Sequence, residues 1–323
     1  MRVLVIGRSR RRDIEASIYR ALRRAGHRAA IVDERRALHT FGLGVSSRWV
    51  HARAALFRPD HVILGKPIGV RPEDIRRISE RAQTVMWYRD LRIPPARAIL
   101  ERARQAHTVF LTAGGQAPLF EEAGAPRALF LPDGVDPELD APAAPHPDFA
   151  CDIAFLGGAD QHRAQLLERL AMRWNVRTWG KGWARWGARV GWTGRTAHYD
   201  DFRLVCASAK IVLGMERVFF ASDPVWGYTS NRLWRVLAAR GFYLGAAAPG
   251  LGEILRDGEH CAYYDDVDHA EAQVARYLAK DAERDRIRHA GHDFVLAHHT
   301  LDHRLHNLLT GAPFENPLTR AGA

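Results

Sequence analysis

Lysine is scarce in this chain. Only Lys66, Lys181, Lys210 and Lys280 stand among its 47 basic residues, and the remainder are arginine. The net charge of +10 at pH 7 invites a polyanionic partner. The arginines, however, are spread along the expected helices and form no basic arm, which argues against a specific nucleic-acid reader. The charge fits a solvated surface, with part of it kept for phosphate-bearing or lipid-linked ligands and for peripheral contact with an acidic membrane surface. Cysteine is scarcer still. Cys151, Cys206 and Cys261 are odd in number, far apart and without a C-x-x-C pair, which excludes a disulfide scaffold and a cysteine metal centre. They read as small buried hydrophobes in a reducing compartment. No apolar run approaches the ~20 residues of a membrane span, and the first strand begins at Arg2 with no cleavable apolar region before it. A cytoplasmic protein is expected.

What remains is long and regularly patterned. A chain of 323 residues with 47% apolar content suits two well-packed domains. Strand patterns at 2–6, 29–32, 61–64, 84–87, 108–111 and 128–131 alternate with helical patterns at 13–25, 72–81, 95–105 and 116–123. Such alternation predicts a mostly parallel, doubly wound sheet, because parallel neighbours need crossover helices. Residues 139–147, LDAPAAPHP, hold three prolines and little that can pack. They place a linker at 139–150 between an N-terminal domain, 1–138, and a C-terminal domain, 151–323. In the second domain strand patterns recur at 152–156, 176–179, 211–213 and 262–264, helices at 163–172 and 199–207, and helices from about 267 onward finish the chain.

The most informative stretch is 228–253, YTSNRLWRVLAARGFYLGAAAPGLGE. Ser230 can cap a helix that opens with Asn231 and Arg232 and shares Leu233, Trp234 and Leu237 on one face. Arg232 then sits in a first turn, where backbone N–H groups favour an anion, and its guanidinium fork suits phosphate. A strand over 242–247 follows, and Pro249, Gly250 and Gly252 let the next backbone approach a ligand. Glu253 can accept from sugar hydroxyls or cap the helix after it. Gly157 and Gly158, where a strand runs into a helix, read either as a phosphate approach or as an ordinary tight turn. Lys181, flanked by glycines, offers a cation between Trp179 and Trp183, whose flat faces suit a nucleobase or a core. In the first domain Gly7, Arg8 and Ser9 leave the end of the first strand. The G-x-S-R-R-R run there is no G-x-G-x-x-G fingerprint, although Asp33 ends the second strand as a ribose-binding acid would. Asp90, beside Trp87 and Tyr88, can bind an acceptor hydroxyl and take its proton, or simply form a turn. His299, His303 and His306 share a helical spacing of i, i+4 and i+7, which superficially suggests a metal site; packing is the preferred reading, and no metal is expected.

The stretch 228–253 resembles the donor-binding segment of GT-B glycosyltransferases, most closely the group identified as spore maturation protein CgeB-like, with S-x-R-x-F-E-x-x-A-x-G-x-F followed by P-G-x-x-E. Ser230, Arg232, Ala238, Arg240 (in register) or Gly241 (one residue late), Phe242, Pro249, Gly250 and Glu253 answer that pattern. LPDGVDPEL at 131–139, DIAFLGGADQHRAQLLERL at 152–170, WGKGW at 179–183, SAKIVLGM at 208–215, GEHCAYYDDVD at 258–268 and VMWYRD at 85–90 extend the likeness. The resemblance implies an α/β GT-B architecture, two Rossmann-like domains facing a cleft, with terminal helices that can return to the first domain. It implies a metal-independent, retaining hexosyl transferase with no cofactor. A nucleotide-diphosphate sugar is its donor, and a glycan, lipid-linked, protein or small-molecule hydroxyl its acceptor. On this reading Arg232, Lys181, Trp183, Ser230, Asn231, Arg235, Pro249, Gly250 and the Gly157–Gly158 turn hold the donor, Glu253 orients the sugar, and Asp90 with Gly7, Arg8 and Ser9 lines the acceptor side. One departure stands out: Arg235 occupies the place of a Glu that grips the donor ribose, and it cannot accept a hydrogen bond. It keeps open a non-catalytic GT-B module, beside a sugar-nucleotide epimerase or phosphorylase and sequence-independent nucleic-acid binding.

Overall fold

The computed structural model describes residues 1–197, 200–215, 226–228 and 230–320. Tyr199, expected to open a helix, and Thr229, within the donor-like stretch, lie outside them. The described chain forms two units, one from 1–134, 226–228 and 301–316, the other from 135–215, 230–300 and 317–320. Among the described residues no helix is long and apolar enough to cross a membrane.

In the first unit the order is β1 (Arg2–Ile6), α1 (Ile14–Arg24), β2 (Arg28–Val32), α2 (Glu34–Phe57), β3 (His61–Leu64), α3 (Pro72–Ser79), β4 (Gln83–Tyr88), α4 (Arg97–Ala103), β5 (Thr108–Leu111), α5 (Ala117–Glu122) and β6 (Ala128–Phe130). All six strands pair in parallel in the order β2-β1-β3-β4-β5-β6. Because strand side chains alternate between faces, Leu4 and Ile6 pack with Leu64 and Met86 on one side, while Val3 and Val5 pack with Ile63 and Trp87 on the other. Both faces are apolar, as a sheet covered on both sides requires. The second face is closed partly by a helix from the far end of the chain. Leu301, Leu305 and Leu308 join that cluster, and buried Arg304 donates to the carbonyls of Pro132 and Asp133 at 2.9 and 3.2 Å. Burial pushes the Arg304 guanidinium down to about 9.

The second unit holds β7 (Cys151–Leu156), α6 (Gln161–Ala171), β8 (Val176–Trp179), α7 (Asp200–Ser208), β9 (Ala209–Gly214), α8 (Asn231–Ala238), β10 (Tyr243–Ala246), α9 (Leu251–Ile254), β11 (Ala262–Tyr264), α10 (Val267–Leu278) and α11 (Asp281–His298); α12 (Leu301–Thr310) is the helix just placed in the first unit, and α13 (Pro317–Arg320) follows it. Its sheet, again all parallel, runs β11-β10-β9-β7-β8. The proline-rich segment carries a short turn at Pro147–Phe149 and the buried Asp140. All three cysteines are free and buried, which pushes their thiols up.

Helix α8 ends in a pattern the sequence disguises. Gly241 N–H reaches Val236 O and Arg240 N–H reaches Leu237 O, the paired bonds of a Schellman turn, whose first residue past the cap is usually glycine. Here that residue is Arg240, at φ 58°, in register with the glycine of the resembling pattern. A side chain in this left-handed region is strained. Arg240→Gly should therefore stabilise the protein by about 0.5–1 kcal/mol, read as a higher urea midpoint at unchanged slope; a lower midpoint would mean that the arginine side chain earns its place by packing.

Candidate functional site

The second sheet changes winding direction between β7 and β9, and in open α/β sheets ligands bind outside the carboxyl ends of strands at such a point. There β7 runs into Gly157 and Gly158. Gly157 N–H continues the ladder to Trp179 O, and Ala159 N–H bonds Lys181 O at 2.9 Å, so the loops after β7 and β8 are laced together. The approach is tight: a Cβ on Gly180 would fall 1.8 Å from Gly157 O. Gly158 is open. A Cβ there would meet nothing nearer than 4.0 Å, and its N–H makes no hydrogen bond among the described residues.

Two arginines converge behind this turn. Arg232, in the first turn of α8, donates to Leu156 O at 2.6 Å and to Met215 O at 3.4 Å. Arg163, in the first turn of α6, donates to Gly158 O and Met215 O, both at 2.9 Å. Both guanidinium carbons lie over the Phe155 ring, 5.0 and 5.5 Å from its centre. Arg232 thus ties the ends of β7 and β9 together while bringing positive charge to their carboxyl edge. Arg163 was missed by the sequence reading. The available signal was Asp160, three residues earlier, which caps α6 by accepting from Arg163 N–H at 3.0 Å. Lys181 is exposed, and its side chain makes no hydrogen bond or ion pair among the described residues.

The other expected donor residues divide. Ser230 sits at the N-cap of α8 in extended conformation, but its side chain makes no capping bond; Asn231 follows, partly buried. Pro249 and Gly250 follow the end of β10, with Gly250 at φ 75° and Glu253 exposed in the single turn of α9. Trp183 is corrected: its ring is fully buried, edge-on to Phe155, and its N–H is donated to Gly157 O at 2.8 Å. It props the turn from inside and offers no face to a base. Trp179 is likewise buried, stacked on Phe149. Arg235 is engaged within the fold. Its Nε donates to Asp140 Oδ1 at 2.7 Å and its guanidinium covers Phe202 at 4.1 Å, so it is held by its own unit. The three histidines do not share a helix face: His299 ends α11 and stacks on Trp234, whereas His303 and His306 face solvent from α12.

In the first unit the corresponding switch point, between β1 and β3, borders a cavity of about 260 Å³ lined in part by Gly7, Arg8, Lys66 and Asp90. Asp90 and Lys66 form an ion pair, which the sequence reading did not anticipate. Ser9 is turned to structure: its N–H and hydroxyl both donate to Asp33 Oδ2, at 3.1 and 2.9 Å. Asp33 also caps α2 through Arg36 N–H. Burial raises its affinity for a proton, but these hydrogen bonds prevail and hold its carboxyl below the usual range, leaving it no ribose-binding duty. Beside it Glu34 is buried, receives Gly69 N–H and pairs with Arg35. Burial, working against both partners, pushes it up to about 7.

A family model described as glycosyl transferase-like matches residues 162–310. A search of curated proteins yields no match. Among solved structures, sucrose-phosphate synthase from Thermosynechococcus elongatus superposes with a TM-score of 0.66 at 11% identity, covering 100% of both chains. The chain has the GT-B fold. A glycosyltransferase from Rickettsia africae gives 0.65 at 8% identity over 96% of this chain and 97% of its own. Anabaena Alr3699/HepE in complex with UDP-glucose gives 0.64 at 14%, covering 97% and 100%.

Two outcomes follow from this geometry. Arg235→Glu, which restores the residue type of the resembling pattern, should destabilise the protein by about 2–4 kcal/mol by setting a carboxylate against buried Asp140. Adding Asp140→Asn should recover most of that loss in a denaturant titration; a neutral or stabilising single variant would contradict the pairing. Glu34, with a folded-state value above its unfolded one, binds more protons when folded, so its contribution to stability falls as pH rises from about 4.5 to about 7. The Glu34→Gln variant should therefore gain on the parent across that window in thermal melts, and parallel curves would refute the assignment.

Proposed function

We propose that the protein is a cytoplasmic glycosyltransferase of the CgeB-like kind, moving a hexosyl group from a nucleotide-diphosphate sugar to an acceptor hydroxyl. The observation that carries this reading is the switch point of the second sheet. An open Gly158 N–H and the exposed Lys181 ammonium meet there at the edge held by Arg163 and Arg232. When the glycosyl bond breaks, negative charge develops on the departing diphosphate, and fixed donors already in place stabilise it without reorganising. Those cations supply the charge that a metal supplies in other enzymes, which is why we read the chemistry as metal-independent. The glycosyl transferase-like match covers this half of the chain, and a neighbour of the same fold is a UDP-glucose complex. Retention follows the resemblance to CgeB-like enzymes: the leaving phosphate takes the acceptor proton, and few protein bases are needed. Glu253 orients the sugar from the loop after β10. The buried free cysteines fit a reducing compartment.

The test is a thermal-shift screen with UDP, GDP, TDP and ADP sugars. One nucleotide class should stabilise the protein selectively. Lys181→Ala should weaken that binding about ten-fold (~1.4 kcal/mol) with the melting temperature of the free protein unchanged, because the substitution keeps the backbone bond from Ala159 N–H and the side chain it removes holds no partner in the fold. Arg232→Lys, which keeps the charge but loses the fork, should lower both donor affinity and stability. Indifference to every nucleotide sugar would sink the reading. Stabilisation without release of nucleotide diphosphate in any acceptor mixture would instead favour a binding module.

A further inference from the structure

At the carboxyl ends of β1 and β3 two glycines make room for one carboxylate. A Cβ on Gly7 would fall 2.4 Å from Glu15 Cγ, and one on Gly65 would fall 2.3 Å from Glu15 Oε1. Glu15 is only 6% exposed and lines the 260 Å³ cavity of the first unit. Its carboxylate makes no hydrogen bond or ion pair among the described residues. A carboxylate on a cavity wall with no protein partner is open to a donor that enters the cavity. Its place in the first turn of α1 gives it the favourable end of a helix dipole, but its oxygens accept from no helix N–H among the described residues, so capping does not account for it. A cation is near at hand and also unused: Arg8 borders the same cavity, exposed, with no bond or ion pair among the described residues. Lys66 and Asp90, on the same wall, satisfy each other.

We propose that this cavity binds a small phosphorylated polyol of the sugar-phosphate class, with a hydroxyl donated to Glu15 at the floor and the phosphate held by Arg8 at the mouth. A buried, unpartnered acceptor selects for a hydrogen-bond donor, since a ligand lacking one leaves the carboxylate stranded. An exposed guanidinium suits a phosphate that stays partly in water. The volume accommodates one monosaccharide and no long chain. That this ligand is the acceptor rests on the transferase reading; that the cavity binds it does not.

The experiment is calorimetric titration and thermal shift with a panel of hexose 6-phosphates, the matching free hexoses and inorganic phosphate, with UDP run alongside. At least one hexose phosphate should bind more tightly than its free hexose and than inorganic phosphate. Glu15→Gln should leave the free protein as stable or more stable, because a lone buried charge is removed, and should weaken the hexose phosphate at least ten-fold. Arg8→Ala should erase the preference for the phosphorylated sugar without changing the melting temperature of the free protein. The inference is overturned if no hexose phosphate binds. It is equally overturned if Glu15→Gln lowers stability with binding unchanged, which marks a structural residue. Loss of hexose-phosphate binding with UDP binding intact removes this inference alone; the reverse removes the transferase reading and leaves the cavity site standing.

Discussion

The carbonyl oxygen of Met215 accepts from two guanidinium groups, Arg163 and Arg232. Each arginine also holds a carbonyl at the end of β7, at Gly158 and Leu156 respectively. The first and third strands of the second unit are thereby bound edge to edge by cations at the place where their sheet opens. Fixing a charged group to a neutral carbonyl satisfies its hydrogen bonds and leaves its charge to act on whatever comes next. The Gly157–Gly158 turn, the Trp183 prop behind it and the open N–H of Gly158 all depend on this arrangement. A substitution at either arginine thus acts on the fold as well as on the charge at this edge, whereas the Lys181 side chain takes no part in that bonding.

The two sheets begin with the same strand order, second-first-third, and use their switch points in opposite senses. In the second unit cations gather there. In the first unit a buried carboxylate, Glu15, occupies the corresponding place, and two glycines are held open for it. On the readings proposed above, one position takes the diphosphate of a donor and the other a hydroxyl. The same starting order of strands carries opposite charge through a few side chains in first helical turns.

Much of the scaffold was legible because buried parallel strands are short, continuous apolar runs. The strands at 61–64, 108–111, 176–179 and 262–264 fall where the pattern places them. Helix α2 was not legible. Gly42 breaks it at φ 76°, and Phe41, Val45, Trp49 and Leu56 are exposed, so no single apolar face announces a helix. The local geometry of the candidate site was legible where it depends on nearby backbone, as at the Gly157–Gly158 turn and the start of α8. It was illegible where a side chain's role is set by a distant partner. Arg235 meets Asp140 across 95 positions, Trp183 meets Gly157 across 26, and Glu15 is defined by the absence of Cβ atoms at Gly7 and Gly65. No periodicity encodes such meetings.

On the proposed function, the open edge between β7 and β9 receives a nucleotide diphosphate. A crystal structure of the protein soaked with UDP tests it directly. Diphosphate oxygens should lie within hydrogen-bond distance of Gly158 N–H and Lys181 Nζ. A nucleotide bound elsewhere, or a Gly158 turn left empty at saturating UDP, would contradict it.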